Sequence, residues 1–284
     1  MMKIDQIKFI PIVLFIFLLG LGNICAAQGN KGQFERAYKK LNEGELKMTF
    51  YTPANFDESK SYPAIIYFFG GGWVGRNIDQ FVPFAIHAAA RGMVAIIADY
   101  RTKSSHQTTP FESLKDAKSA MRYIRKNAEK LNIDPDRIIA SGGSAGGHLA
   151  AATFTNESIN EETDDLAISS KPNALILFNP VIDNGEGGYG FDRIGSRYLE
   201  FSPIHNIREG FPPTIFFIGD SDELIPVLTA ERFKERVEEV GSSCELYIYE
   251  GQKHGFFNQS IFHEDLFSKM DTFTKNLNYI GWEK

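Results

Sequence analysis

Cysteine is nearly absent. The chain of 284 residues holds two, Cys25 and Cys244. Cys25 falls in a leader read below as cleaved, which would leave Cys244 alone. No internal disulfide could then brace the fold, and the hydrophobic core must do that work. Cys244 opens an apolar run and has no Cys or His neighbour at metal-ligand spacing, so a buried structural thiol is expected. Excess positive charge is lacking as well. With a formal net charge of -6, the chain has no surplus to offset repulsion from phosphates, which argues against nucleic-acid or anionic-membrane binding. Repeats, low-complexity tracts and linkers are missing, so residues 28–284 read as a single domain. Hydrophobic residues at 43% and charged residues at 23% are ordinary for a globular core of this length.

Only one long hydrophobic run exists, Phe9 to Leu21. It follows two lysines, Lys3 and Lys8, and precedes Cys25-Ala26-Ala27, whose small residues suit a signal peptidase. Residues 1–27 are therefore predicted to be a secretory signal peptide cut after Ala27, placing the protein outside the cell or in the periplasm with no membrane span after cleavage. The alternatives are a retained anchor and a lipoprotein attached through Cys25, against which Ile24 stands where a small residue is usual.

Beyond the leader, Gln28 to Asn42 is polar with a weak helical pattern and is expected to be a surface arm. Glu45 to Tyr51 alternates as a half-exposed edge strand does. Ala64–Phe69, Met93–Ala98, Arg137–Ser141, Ala174–Phe178, Thr214–Ile218 and Glu245–Tyr249 are apolar runs of strand length. Between them lie helical patterns at Asp79–Arg91, Glu112–Asn132, Gly147–Phe154, Pro226–Val240 and around Phe262–Leu277, with a long irregular stretch from Asn179 to Pro213. Apolar strands alternating with helices require a mostly parallel sheet of about eight strands, covered on both faces. In such sheets the site lies at the carboxyl ends of the strands.

The conspicuous residues fall at those ends. Gly142-Gly143-Ser144-Ala145-Gly146 fits Gly-x-Ser-x-Gly between a strand and a helix, where the turn is tight and pushes the serine hydroxyl into the cleft. Without a function it would be a glycine-rich strand-to-helix turn. A serine hydroxyl is a weak nucleophile and needs a base, and the base needs an acceptor. Of six histidines, His254 alone sits in a glycine-flanked loop after the last strand. His87 and His148 read as packing residues, while His205, His106 and His263 are weaker candidates. For the acid, Asp222 is preferred over Asp220 in Gly219-Asp220-Ser221-Asp222; capping of the next helix would explain both otherwise. The backbone N–H of Ala145, at a helix start, is one candidate oxyanion donor, and those of Gly71 and Gly72 are the others, because backbone without side chains can approach a substrate. Trp73 and Tyr189 are candidate substrate-binding residues. The Asn184–Asp192 loop that carries Tyr189 could equally be a disordered surface turn.

Phe69-Gly70-Gly71-Gly72-Trp73, Asp99-Tyr100-Arg101, Asp134-Pro135-Asp136-Arg137-Ile138, Gly142 to His148, Gly219 to Asp222 and Lys253-His254-Gly255-Phe256 together resemble the α/β-hydrolase superfamily. They are closest to secreted bacterial esterases of the hormone-sensitive-lipase-like and feruloyl- or acetylxylan-esterase-like groups. The resemblance spans roughly residues 45–278. It implies an α/β-hydrolase fold, Ser144 as nucleophile, Asp222 as acid, His254 as base, and Gly71, Gly72 and Ala145 as oxyanion donors. It also implies ester hydrolysis without metal or organic cofactor, on small esters or acylated poly- and oligosaccharides. Phe69 stands where the family usually has histidine, so the oxyanion loop must be held in another way. Two other readings compete. One is a prolyl-oligopeptidase-type peptidase, for which a propeller-sized N-terminal region is missing. The other is a non-catalytic binding protein of the same fold, which would typically have lost a triad residue.

Overall fold

The computed structural model describes residues 32–281, and the predicted signal peptide, residues 1–27, lies outside them. Eight strands form one sheet in the order β1-β2-β4-β3-β5-β6-β7-β8. They are β1 (Gln33–Leu41), β2 (Gly44–Tyr51), β3 (Tyr62–Phe68), β4 (Val94–Ala98), β5 (Ile133–Gly143), β6 (Ala174–Phe178), β7 (Thr214–Gly219) and β8 (Cys244–Tyr249). The pairs β1–β2 and β2–β4 are antiparallel, and every other pair is parallel. The helices are α1 (Val82–Ala90), α2 (Lys103–His106), α3 (Pro110–Lys126), α4 (Ala145–Thr155), α5 (Phe191–Ile194), α6 (Tyr198–Phe201), α7 (Val227–Glu239) and α8 (His263–Asn276).

The two-residue period of the buried strands divides the core. Ile66, Phe68, Ala140, Leu175 and Phe216 face one cluster with Leu114, Met121, Leu149 and Phe233, so α3, α4 and α7 cover that side. Ile65, Tyr67, Ile139, Ile176 and Phe217 face the other, with Phe84, Leu266 and Met270 from α1 and α8. Burial of each such side chain contributes roughly 1.5–3 kcal/mol. This is why strands with no polar face are stable only between two helical layers.

Four expectations require correction. The polar arm is not helical: residues 33–41 form β1, paired with β2, and Phe34 stacks on Phe50 with ring centroids 4.8 Å apart. Its charged residues hid the strand period, because an edge strand with a solvent face tolerates them. Residues 28–31 of that arm lie outside the described residues. The long helix starts and stops earlier than its apolar pattern suggested. Thr109 and Glu112 form a capping box ahead of Pro110, and the chain leaves the helix at Lys126, passes a short 3-10 turn and reverses at Asn132, φ 56°. The irregular stretch contains α5, α6 and two 3-10 turns between β6 and β7. The apolar pattern of the Pro226–Val240 helix puts Ala230, Phe233, Val237 and Val240 inward, but Val240 is the cap of α7 and only partly buried, whereas the other three are buried.

Candidate active site

At the end of β5 the chain turns into α4 through Ser144, held at φ 53° and ψ -120°. A non-glycine residue there is strained by about 1–3 kcal/mol. Neighbouring glycines allow the turn: a Cβ on Gly142 would stand 2.7 Å from the Phe68 carbonyl oxygen, and one on Gly146 would stand 2.6 Å from the Phe68 carbonyl carbon. The crossing of β3, β5 and α4 therefore admits no side chain at either position.

The turn brings Ser144 Oγ within 2.8 Å of His254 Nε2. On the far side of the imidazole, His254 Nδ1 lies 2.8 Å from Asp222 Oδ2. With a carboxylate accepting at Nδ1, the neutral ring keeps its proton there, and Nε2 is free to accept from the serine hydroxyl. Asp222 has a fully buried side chain. Its Oδ1 accepts from the N–H groups of Leu224 and Ile225 at 2.9 and 3.0 Å, and its Oδ2 also accepts from Asn179 Nδ2 at 2.7 Å. Burial alone would raise its pKa, but hydrogen bonds from His254, Ile225 and Asn179 outweigh that and hold the carboxyl below its ordinary value. Asn179 follows β6 at φ 42° and carries no sequence signature. It is the member of the constellation that the sequence did not reveal.

The remaining candidates are elsewhere. Asp220 is exposed, and its Oδ1 accepts from Gly251 N–H at 2.7 Å, tying the acid loop to the base loop. The same two loops cross at Gly219, where a Cβ would come within 2.5 Å of the Gln252 carbonyl carbon, and Ser221 N–H donates to Gln252 O at 3.0 Å. His148 is fully buried, faces the Phe201 carbonyl from Nε2 at 3.0 Å and is pushed down to about 3 by burial. His87 pairs with Asp271, His106 with Ser105, and His263 with the Phe257 carbonyl. His205 is exposed, edge-on to Tyr198. The Cys244 thiol is buried and pushed up to about 12. Among the described residues, no group of three or more His, Cys, Asp or Glu is placed to hold a metal ion, and no helix is long and apolar enough to cross a membrane.

The glycine run after β3 lies against the serine. A Cβ on Gly70 would stand 3.3 Å from Ser144 Cβ. Its peptide planes are fixed one by one, without the histidine that Phe69 replaces. Phe69 stacks on Tyr100 at 4.1 Å, and Tyr100 Oη donates to Phe69 O at 2.6 Å. Gly70 N–H donates to Gln80 Oε1 at 2.6 Å. Gly71 O accepts from Val74 and Gly75 N–H at 3.0 and 2.9 Å. In a trans peptide the following N–H points opposite to that carbonyl, so Gly72 N–H is turned away from the 74–75 turn. Arg193 Nη1 donates to Gly72 O. No hydrogen bond among the described residues uses the N–H of Gly71, Gly72 or Ala145.

Trp73 does not stand open to a substrate as expected. It is 1% exposed, with φ 58°, and packs edge-on to His148 at 5.2 Å and beside Phe201 at 5.9 Å. An indole is too large and apolar to stay outside when a core cleft is beside it. Tyr189 is half-buried and sits over the run: a Cβ on Gly72 would overlap its hydroxyl.

Comparison with known proteins adds three findings. Residues 48–185 match the BD-FAE family model and residues 189–281 the dienelactone hydrolase family model. The glycine run and Ser144 thus fall in the first, Asp222 and His254 in the second. The apo form of Thermogutta terrifontis esterase 2 superposes with a TM-score of 0.85 and 39% identity, covering 89% of this chain and 97% of that one. Its propionate-bound form gives a TM-score of 0.84 at 38% identity, with the same coverage. An acetylxylan esterase of Xylanibacter ruminicola is 24% identical over 83% of this chain and 49% of its own length. The chain spans about half the length of the curated relatives it matches, 48% and 49% in two of them.

Proposed function

Because the chain belongs to the α/β-hydrolase esterases, we propose that it hydrolyses carboxylic esters through an acyl-enzyme on Ser144. The observation that carries this reading is the unbroken hydrogen-bonded path from Ser144 Oγ through His254 to Asp222. His254 Nε2 takes the hydroxyl proton as Ser144 Oγ bonds to the ester carbon. The carbonyl oxygen becomes an oxyanion and is met by the N–H groups of Gly71, Gly72 and Ala145. One comparable donor is worth roughly 3 kcal/mol. The C–O bond to the alcohol then breaks, and the alcohol leaves with the proton from His254. Water, deprotonated by the same nitrogen, attacks the acyl carbon, and Ser144 regains its hydrogen as the acid departs. Asp222 keeps its charge throughout and stabilises the imidazolium.

The substrates we propose are short-chain or carbohydrate-linked esters. Support comes from the propionate-bound relative and the acetylxylan esterase named above. Secretion, proposed from residues 1–27, would place the enzyme where plant or algal polysaccharides are met. A panel of p-nitrophenyl acetate and butyrate, a feruloyl ester and acetylated xylan tests the reading. Turnover of the short esters, abolished in Ser144→Ala, is the expected result. An inert wild-type protein that also resists a fluorophosphonate serine probe would instead mean a binding protein on the same fold.

A further inference from the structure

Three consecutive residues of the oxyanion loop stand at positive φ: Gly71 at 129°, Gly72 at 63° and Trp73 at 58°. Glycine adopts such angles freely, but a residue with a bulky side chain does not. The simplest release is to turn over the one peptide plane between Gly72 and Trp73. That plane is rigid and trans, so the motion changes only ψ of Gly72 and φ of Trp73, each by about 180°. Trp73 would arrive at a φ of about -120°, an ordinary extended angle, and Gly72 tolerates the change because it has no Cβ. Both Cα atoms could stay in place. Trp73 packs on His148 and Phe201 through its ring, and its carbonyl accepts from Lys103 N–H at 3.0 Å. Neither contact touches the plane that would turn.

One hydrogen bond opposes it. Arg193 Nη1 donates to Gly72 O, and Trp73 N–H, at the other edge of the plane, has no partner among the described residues. A charged donor makes a stronger bond than a neutral one. The guanidinium is itself fixed from several sides. Gly190, at φ 82°, turns the chain into α5, and the guanidinium then lies 5.4 Å from the Trp73 ring and 5.2 Å from the Tyr189 ring, with Asp192 Oδ1 3.6 Å from Nε. The preceding peptide needs no such help, because Gly71 O already accepts from Val74 and Gly75 N–H. Gly72 joins the two planes: its N–H lies in the first and its carbonyl in the second. Reversal of the second puts a carbonyl oxygen where Trp73 N–H had been. The negative end of a dipole then replaces a positive end one residue from an oxyanion donor, and the softened turn no longer fixes that donor. Misplacement by about 1 Å can cost about 10²-fold in rate.

We propose that Arg193 is a positioning residue for the reaction: it locks the Gly72–Trp73 peptide in its strained orientation and so keeps Gly72 N–H aimed at the oxyanion. The strain at Trp73 and the reach of Arg193 from α5 are two halves of one device. The role rests on the ester-hydrolase reading above, but the lock has a structural readout that needs no turnover.

Arg193→Met keeps an aliphatic stem against Trp73 and Tyr189 and removes the donor. Its kcat on p-nitrophenyl acetate is expected to fall about 10²-fold while KM changes by less than about twofold. Affinity for a trifluoromethyl ketone should fall by the same factor, because Ser144 Oγ adds to the ketone carbon, His254 takes the hydroxyl proton, and the ketone oxygen becomes an oxyanion on the same donors. Arg193→Lys retains a cationic donor and should return kcat to within about fivefold of wild type. A crystal structure of Arg193→Met should show the 72–73 peptide turned over and Trp73 at negative φ. Should that variant fail to fold, Arg193→Gln, whose amide is too short to reach the carbonyl, takes its place. Unchanged kcat, a raised KM in place of a lowered kcat, no recovery in Arg193→Lys, or Trp73 still at positive φ overturns the proposal. A wild-type protein that neither hydrolyses esters nor binds the ketone overturns the ester-hydrolase reading instead, and the Trp73 angle still decides the lock.

Discussion

Two histidine–aspartate pairs of equal length sit on this sheet. His254 Nδ1 meets Asp222 at 2.8 Å, and His87 Nε2 meets Asp271 at 2.8 Å. The second pair joins α1 to α8, with the His87 ring stacked on Phe267 at 4.1 Å and the other Asp271 oxygen held by Arg91 Nε at 2.8 Å. Charge on Asp271 is thus already answered by a guanidinium. Asp222 faces no Lys or Arg ion-pair partner among the described residues, only amide N–H dipoles and Asn179. Its charge is left to stabilise an imidazolium when one forms. The other difference is at the free nitrogen: His254 presents it to a hydroxyl on a strained turn, and His87 presents its ring to a phenyl face. A histidine beside a carboxylate is therefore an ordinary structural unit. What stands at its second nitrogen, and what else holds the acid, decides whether chemistry is available.

Substitutions in the two pairs should separate them cleanly. Ser144→Ala is expected to lower kcat on p-nitrophenyl acetate on the order of 10⁶-fold with an unchanged melting curve, read by stopped assays and circular dichroism. Asp222→Asn should cost about 10⁴-fold in kcat, because Nδ1 then meets an amide that can favour the wrong tautomer. The parallel change Asp271→Asn should leave kcat in place and cost about 1–3 kcal/mol in urea unfolding, because His87 and Arg91 lose a charged acceptor. If the two aspartate variants behave alike, the contrast between the pairs is wrong. Asn179→Ala removes one donor from Asp222 and should lower kcat by about tenfold or less.

A third histidine acts on stability alone. His148 titrates near 3 in the fold against 6.5 when exposed. Between those values the unfolded chain binds a proton that the fold refuses, so stability is complete above about pH 6.5 and falls as pH drops toward 3. The loss should approach about 1.4 kcal/mol for each pH unit, and His148→Gln should flatten it in thermal melts across that range.

The residues at strand ends were legible because composition itself marks them. Apolar runs of strand length leave few polar residues, and the topology gathers those at one rim. Thus Ser144, Asp222 and His254 could be named from their places after strands and from the resemblance of their motifs, and the structure brings them to one hydrogen-bonded line. Other features left no such mark. β1 carries Arg36 and Lys40 on the exposed side of an edge strand and Lys39 in ion pairs with Asp116 and Glu161, each at 2.6 Å, so charge falls on both faces and no period survives. Asn179 is a single amide on a turn, indistinguishable in sequence from any loop asparagine. Gln80, Tyr100 and Arg193 hold the glycine run from other elements, and only folding makes them neighbours. Trp73 misled for the opposite reason: its place after the glycines suggested contact with substrate, whereas its size and apolar surface drew it inward.

The crossing of the β7 and β8 loops at Gly219 and Gln252 has a practical corollary for anyone rebuilding this protein. The acid and the base are hung from two strands that touch backbone to backbone, with Asp220 clasping Gly251 across the gap. A graft that lengthens either loop will drag the other with it. The span from residue 219 to residue 255 should therefore be transplanted or recombined whole, while the nucleophile and its glycines can be inherited from a different parent.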